Sequence, residues 1–488
     1  MSGGKKKKEC IPRCEFKKIF NINNINDHLA ELSAVFKQDG IVCISLEGKL
    51  DQRKVVGDMV QQIFGYLPYS EEYLLKLRSP DGSVLNIRNP EHREAIITEL
   101  LRSPMTSENV NEVNKAYPPH RQFGGPCVPA SWFNKDANNM RQDEDIHRAA
   151  EELLEEEKLL CPINRCFFRP PGTGIPAFLH WDRDPRTIKS DDKQGKGKEL
   201  QGKVCVTEGT FVCVLGSHTP EFLEKFCALY DPLYQGRKLG VAKYGLDPNK
   251  DPMCLFKAQR SFIVPACCLV LWSNKLLHGH AIVGRNEGMQ IGFYHGYLHR
   301  ISAQQRMEYK ESYLNGTVPR LYPSGDKVWF YPRKFLNFTS HFESLAKRLS
   351  AEAKAELVTT RVTKAGKEVV DVRPWGWPKD HCFEPFPFTE KGKCIVGIAP
   401  WEGFREPDAP PSDNGGIAQA ARHDKLASKI RVVHAANGGM AQARASKKRP
   451  LGDSESVHDG EVQMPARQDQ LAPGSGIRVL DSGPATRK

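Results

Sequence analysis

The chain has 488 residues, 39% hydrophobic and 9% aromatic, enough for one large domain with extensions or for two or three domains. No run approaches the roughly 20 apolar residues of a membrane helix, and the basic start MSGGKKKKEC has no apolar stretch behind it, so neither a membrane span nor a secretory signal is expected. With 70 Lys and Arg against 59 Asp and Glu the formal charge is +11, but part of the excess sits in the terminal runs Lys5 to Lys8 and Lys447-Lys448-Arg449, where it is a weak pointer to nucleic acid.

Fourteen cysteines without a repeated spacing, including the adjacent Cys267-Cys268, suggest reduced thiols and an intracellular protein, cytoplasmic or nuclear. After a flexible basic N-terminus (1–20), apolar residues at Leu29, Leu32, Val35 and Phe36 predict a helix. Asp39-Gly40 breaks it, and a strand follows over Ile41 to Leu46. Residues 51–65 have the pattern of a second amphipathic helix. The stretch 66–140 is irregular, and its elements cannot be read. HRAAEELLEEEKLL (147–160) predicts a helix with an acidic outer face.

From Cys161 the pattern changes to short β-prone runs bounded by turn residues: INRCFFR, AFLHWD, KVCVT, TFVCVLG, SFIVP, CLVLW and MQIGFYHGY. Many strands with few helices between them predict an antiparallel sandwich or barrel with a ligand-sized mouth. Taken whole, the fold class is mainly β with flanking helices (α+β). The domain division is a core over 21–345, a C-terminal extension over 346–404 packed on it, and a disordered basic tail over 405–488. That tail is rich in Ala, Gly, Ser, Pro and charge, with almost no aromatics, and cannot offset its ordering entropy.

The stretch FLHWDRDP (178–185) carries the chemistry. On a strand, residues two apart share a face, so His180 and Asp182 project together while Trp181 points away into core. An imidazole nitrogen and a carboxylate oxygen suit Fe(II), and one more histidine completes a facial triad with three open positions. In LVLWSNKLLHGHAIVGRN a buried strand is followed by His278 and His280.

Four stretches in order, HWDRDP (180–185), LQGKVCVTEGTFVCVLGSH (200–218), CLVLWSNKLLHGH (268–280) and GFYHGY (292–297), resemble the phytanoyl-CoA dioxygenase-like family of Fe(II)/2-oxoglutarate-dependent oxygenases. Weaker similarity extends this over roughly 25–404. The resemblance implies a double-stranded β-helix core of the jelly-roll, cupin-like kind. It implies His180, Asp182 and His278 as metal ligands, with His280 the alternative distal ligand, and Fe(II), 2-oxoglutarate and O2 as cofactor and co-substrates. It further implies hydroxylation of an organic substrate, since related halogenases lack the carboxylate that Asp182 supplies here. Gly216-Ser217-His218 would shape the pocket wall, with His218 off the metal and His280 and His295 as nearby spares.

One departure stands out. The family places a basic residue ten to twelve positions after the distal histidine, to pair with the far carboxylate of 2-oxoglutarate; here the corresponding strand begins Met289-Gln290-Ile291. Gln290 can donate hydrogen bonds but carries no charge, and losing one charge-assisted pair at a buried carboxylate costs roughly 2–5 kcal/mol. Arg285, Lys203, Arg165 and Arg169 are the candidate substitutes. The alternative to an oxygenase is a weakened or inactive relative that binds protein or nucleic acid. KKRP at 447–450 with the N-terminal KKKK would suit a nuclear-import signal. The substrate, small molecule or macromolecule, is not specified by the sequence.

Overall fold

The computed structural model describes residues 12–61, 64, 70–116, 134–161, 165–171, 179–181, 185–186, 199–234, 244–245, 251–279, 288–298, 306–307, 310, 350–362, 368–372 and 386–403. Among these the architecture is α+β, with helices gathered mainly in the N-terminal third and strands in the middle.

The N-terminal part opens with the short strands β1 (Arg13–Cys14) and β2 (Phe20–Asn21), then α1 (Leu29–Asp39) and β3 (Ile41–Ser45). Helix α1 buries Leu32, Ser33 and Phe36, and ends where predicted. Gly40 takes φ 77° there and donates its N–H to the Phe36 carbonyl at 2.8 Å. That left-handed conformation is strained for any residue with a Cβ. Helix α2 (Gln52–Val60) is capped by the Asp51 carboxylate, which accepts from Lys54 N.

The stretch that the sequence left unread holds the hairpin β4 (Lys76–Arg78) and β5 (Val84–Asn86), then α3 (Arg93–Leu101), α4 (Ser107–Ala116) and α5 (Lys135–Gln142). Helix α6 spans Glu144–Leu154, capped by Asp143, and buries Ile146, Ala149, Ala150, Leu153 and Leu154. It stops short of the expected residue 160. Glu155 turns left-handed at φ 52°, and Leu160 leaves the helix to exchange 2.8 Å backbone hydrogen bonds with Leu298.

The remaining strands are β6 (Arg165–Arg169), β7 (His180–Trp181), β8 (Glu199–Cys205), β9 (Gly209–Cys213), β10 (Tyr244–Gly245), β11 (Arg260–Val264), β12 (Cys268–Ser273), β13 (His278–Gly279) and β14 (Gln290–Leu298). Helices α7 (Pro220–Tyr234) and α8 (Leu255–Ala258) lie between β9 and β11. Helix α9 (Ala351–Leu357), the hairpin β15 (Val358–Val362) and β16 (Glu368–Val372), and α10 (Glu390–Ile395) follow.

Two six-stranded sheets organise the described strands: a larger one with longer strands, β2-β3-β12-β8-β14-β6, and a smaller one with shorter strands, β1-β11-β9-β13-β7-β10. Successive strands from β6 onward mostly alternate between the two sheets, so the chain winds around a shared interior. One core cluster fills that interior with Phe167, Cys205, Cys268, Val270 and Trp272 from the larger sheet and Phe211, Cys213, Phe262 and Val264 from the smaller. The outer face of the larger sheet packs Phe168, Leu200, Val204, Leu269, Leu271, Ile291 and Phe293 against residues of the N-terminal helices. The outer face of the smaller sheet packs Trp181, Val212 and Val214 against Phe226 and Tyr230 of α7. The ten cysteines whose side chains are described are all free thiols. No helix among the described residues is long and apolar enough to cross a membrane.

A histidine pair in the space between the sheets

Alternation along each strand decides what faces the interior. On β12 and β9, Trp272, Phe211 and Cys213 point inward, and β13 continues that face: its register sets His278 against Cys213 on one side and against His180 of β7 on the other. The two imidazoles come together there, ring centroids 4.6 Å apart, at 1% and 4% exposure. Trp181, the next residue on β7, faces the other way as expected; its ring packs edge-on against Phe226 at 4.5 Å and its indole N–H donates to the Lys275 carbonyl at 2.7 Å.

His278 is held on several sides. Its Nδ1 lies 2.9 Å from the Leu276 carbonyl oxygen. A carbonyl can only accept, so Nδ1 carries the proton and Nε2 is the lone-pair nitrogen. The Phe211 ring stacks on the imidazole at 5.9 Å and 5°, and Trp272 lies 5.6 Å away. Trp272 is fixed in turn by donating to the Gln201 side-chain oxygen at 2.7 Å. The strand bearing His278 is pinned by Ser217, whose hydroxyl accepts from Leu277 N at 2.8 Å. Ser217 therefore supports the site. His218 does not shape a pocket wall: its Nε2 faces the Lys37 carbonyl at 3.2 Å, and its ring lies beside Phe36 at the end of α1. Burial holds its pKa below the usual range.

The other expected residues divide into three groups. Asp182, His280 and Arg285 lie outside the described residues. Gln290, 5% exposed, begins β14 directly opposite Arg169 of β6. Lys203 sits on β8 opposite Tyr294 and is wholly buried on the inward face, its Nζ 3.2 Å from the Thr210 carbonyl oxygen and 4.9 Å from the Phe167 ring centre. Arg169 donates to the Tyr294 hydroxyl at 2.7 Å and stands 5.5 Å from the same Phe167 ring. Arg165 is on β6, but its side chain is not among those described. Tyr294 and Phe167 went unnoticed in the sequence. The alternation of Arg165, Phe167 and Arg169 was the available signal, because strand period puts all three on one face.

His295, a spare histidine in the sequence reading, points instead to the outer face beside Arg141; both its ring nitrogens are buried without a protein partner, and burial drives its pKa down to about 3.

No family model matches the chain, and no curated protein matches it. Solved structures do show likeness. The epimerase SnoN, crystallised with Fe3+, alpha ketoglutarate and nogalamycin RO, is 12% identical over 56% of this chain and 84% of its own, with a TM-score of 0.31. GlcNAc Inducible Gene 2 (GIG2) from Candida albicans is 14% identical over 88% of both chains, at 0.41. EctD from S. alaskensis, in its apoform, is 12% identical over 56% of this chain and 78% of its own, at 0.28. None reaches the similarity at which an activity can be transferred.

Proposed function

We propose that this chain is a non-haem Fe(II) oxygenase that uses 2-oxoglutarate and O2 to hydroxylate an organic substrate. The observation that carries this is the register of β7 against β13, which brings His180 and His278 ring to ring in a buried interior. The donor chemistry fits the metal. Two imidazoles meet, at least one of them presents Nε2 by virtue of its Nδ1 hydrogen bond, and Asp182 follows His180 at the spacing that shares a strand face. The order of the two sheets, with successive strands passing from one to the other, supports a double-stranded β-helix, whose interior is the usual place for such a site.

His180, Asp182 and His278 would hold the iron, which when bound supplies oxygen activation coupled to decarboxylation of the 2-oxo acid. The rest falls to the chain's own groups. The Leu276 carbonyl fixes the His278 tautomer, and Ser217 fixes the strand that bears it. Phe211 and Trp272 pack on the imidazole and prevent it from swinging away. They also make that wall apolar, which limits water beside the reacting atoms.

The test is an anaerobic titration of the Fe(II)-loaded chain with 2-oxoglutarate, followed by the visible metal-to-ligand charge-transfer band, on wild type and His278→Ala. A band in wild type that is lost in the variant is expected. A wild type that takes up no iron would sink the oxygenase and favour a non-catalytic relative that binds protein or nucleic acid.

A further inference from the structure

We infer that an ordered water molecule binds behind the larger sheet, bridging His295 and Tyr297 of β14 beside Arg141 of α5. The site lies on the opposite face of that sheet from the histidine pair, and it is independent of the oxygenase reading.

His295 and Tyr297 pair with Gly202 and Leu200 of β8. Two residues apart on one strand, they leave the sheet on the same side, toward the helices, roughly 7 Å apart along β14. They are 2% and 0% exposed. Both ring nitrogens of His295 and the Tyr297 hydroxyl lack a hydrogen-bond partner among the described residues. Leaving such groups unmet is unfavourable enough that native proteins satisfy nearly all of them, with another protein group or with an ordered water.

The surrounding polar groups are directed elsewhere. Arg141, itself buried, donates from Nε to the Cys161 carbonyl at 2.9 Å and from Nη1 to the Asn138 side-chain oxygen at 3.0 Å. The Cys161 thiol lies beside both Tyr297 and Arg141, and burial keeps it protonated. Its backbone N–H donates to the Ile395 carbonyl of α10 at 2.6 Å, which ties this segment to the C-terminal part of the chain.

The unmet atoms select the ligand. Burial and the neighbouring Arg141 charge keep the imidazole neutral, so it presents one N–H and one lone pair. The phenol likewise presents an O–H and an acceptor oxygen. An anion could meet only the donors and would leave the imidazole lone pair bare. A cation could meet only the acceptors, and Arg141 would repel it. Water both donates and accepts, and in buried sites it makes about three hydrogen bonds to groups of this kind.

The bridge also bears on register. The apolar neighbours on this face, Ile291 and Phe293, tolerate changes of partner, whereas a water-bridged pair is directional. A slip of β14 by one residue would turn His295 and Tyr297 into the interior, away from Arg141, and bring Tyr294 out.

The experiment counts long-lived buried waters in the full chain by water oxygen-17 relaxation dispersion, on wild type and on the double variant His295→Leu, Tyr297→Phe. The double variant is expected to lose about one such water. An unchanged count overturns the inference. Urea midpoints give a second reading. Either single change already releases the water, so the fall in the double variant should be smaller than the two single falls added together. If the double variant does not fold, a wild-type crystal decides. Density within about 3.2 Å of both a His295 nitrogen and the Tyr297 oxygen supports the site, and its absence there overturns it. A bromide soak that gives an anomalous peak at the same place would assign an anion instead, and would overturn the water.

Discussion

The two faces of the larger sheet obey different rules, although the same strands supply both. Toward the helices, Val204, Leu269, Leu271, Ile291 and Phe293 form a continuous apolar layer, none of them more than 0% exposed. Toward the interior, the alternate residues of the same strands include Lys203, Gln201, Gln290 and Tyr294 among the cysteines and aromatics. Strand alternation thus lets one face carry stability while the other holds polar and charged groups that a plain core would exclude. Polar groups do break the division: His295, an imidazole on the apolar side, is buried beside Arg141 without hydrogen-bond partners, and so is the Tyr297 hydroxyl on the same strand face.

The sharpest way to break this division is to disturb each face and measure what the other face does. Phe293→Ala, on the helix side, should cost about 3–5 kcal/mol of stability in a urea melt, yet leave the 2-oxoglutarate charge-transfer band of the Fe(II)-loaded chain intact below the transition. A lost band would mean that the faces are not independent. His278→Ala, on the inner side, should lower Fe(II) affinity by more than about 100-fold, since displaced outer-shell partners alone cost 10–100-fold, while the metal-free chain loses less stability than with Phe293→Ala, because the imidazole leaves a smaller cavity.

His295 gives a pH signature on the apolar side. Its folded pKa lies near 3 against an ordinary 6.5, so it stays neutral when folded while the unfolded chain takes up a proton. Its contribution is complete above about pH 6.5 and is lost progressively as the pH falls toward 3. Between pH 7.5 and 5 this amounts to about 2 kcal/mol, a dependence that His295→Leu should flatten. The buried His147 and His218, whose pKa values burial also lowers, act in the same direction and should leave a residual slope. The smallest effect is the most diagnostic. Lys203→Met, measured without ligand, should be neutral or stabilising by about 1 kcal/mol, because it removes a buried amine that has no acidic partner among the described residues. A large destabilisation there would make the lysine structural.

Much of this was readable in the sequence where local rules and packing agree. The runs KVCVT, TFVCVLG, SFIVP, CLVLW and MQIGFYHGY are β-branched, aromatic and bounded by turns, and each overlaps one of the described strands. The α1 terminus was equally plain, since Gly40 can take the left-handed conformation at little cost. The His180–His278 pairing depended on ordered motifs rather than periodicity, because β7 and β13 are only two residues long.

The region 70–116 defeated pattern reading for a physical reason. Its elements are short, so buried apolar residues such as Leu77, Leu85, Ile97 and Val113 set up no long period, and buried polar contacts such as Asn109 bridging the Arg78 backbone and the Glu99 carboxylate leave no periodic trace. Nor could the sequence choose among Lys203, Arg165, Arg169 and Arg285. Which cation is inside depends on register against β14, a long-range property.

The N-terminal strands have a consequence for synthesis. Arg13 pairs with Ser261, and Ile41 with Trp272, so the first described strands wait for partners made more than two hundred residues later. At 5–20 residues per second that delay is roughly 10–50 s. During it the apolar run Ile41-Val42-Cys43-Ile44 has no partner strand from the far half of the chain. Nascent-chain folding, more than the finished protein's stability, is where a chaperone would meet this molecule.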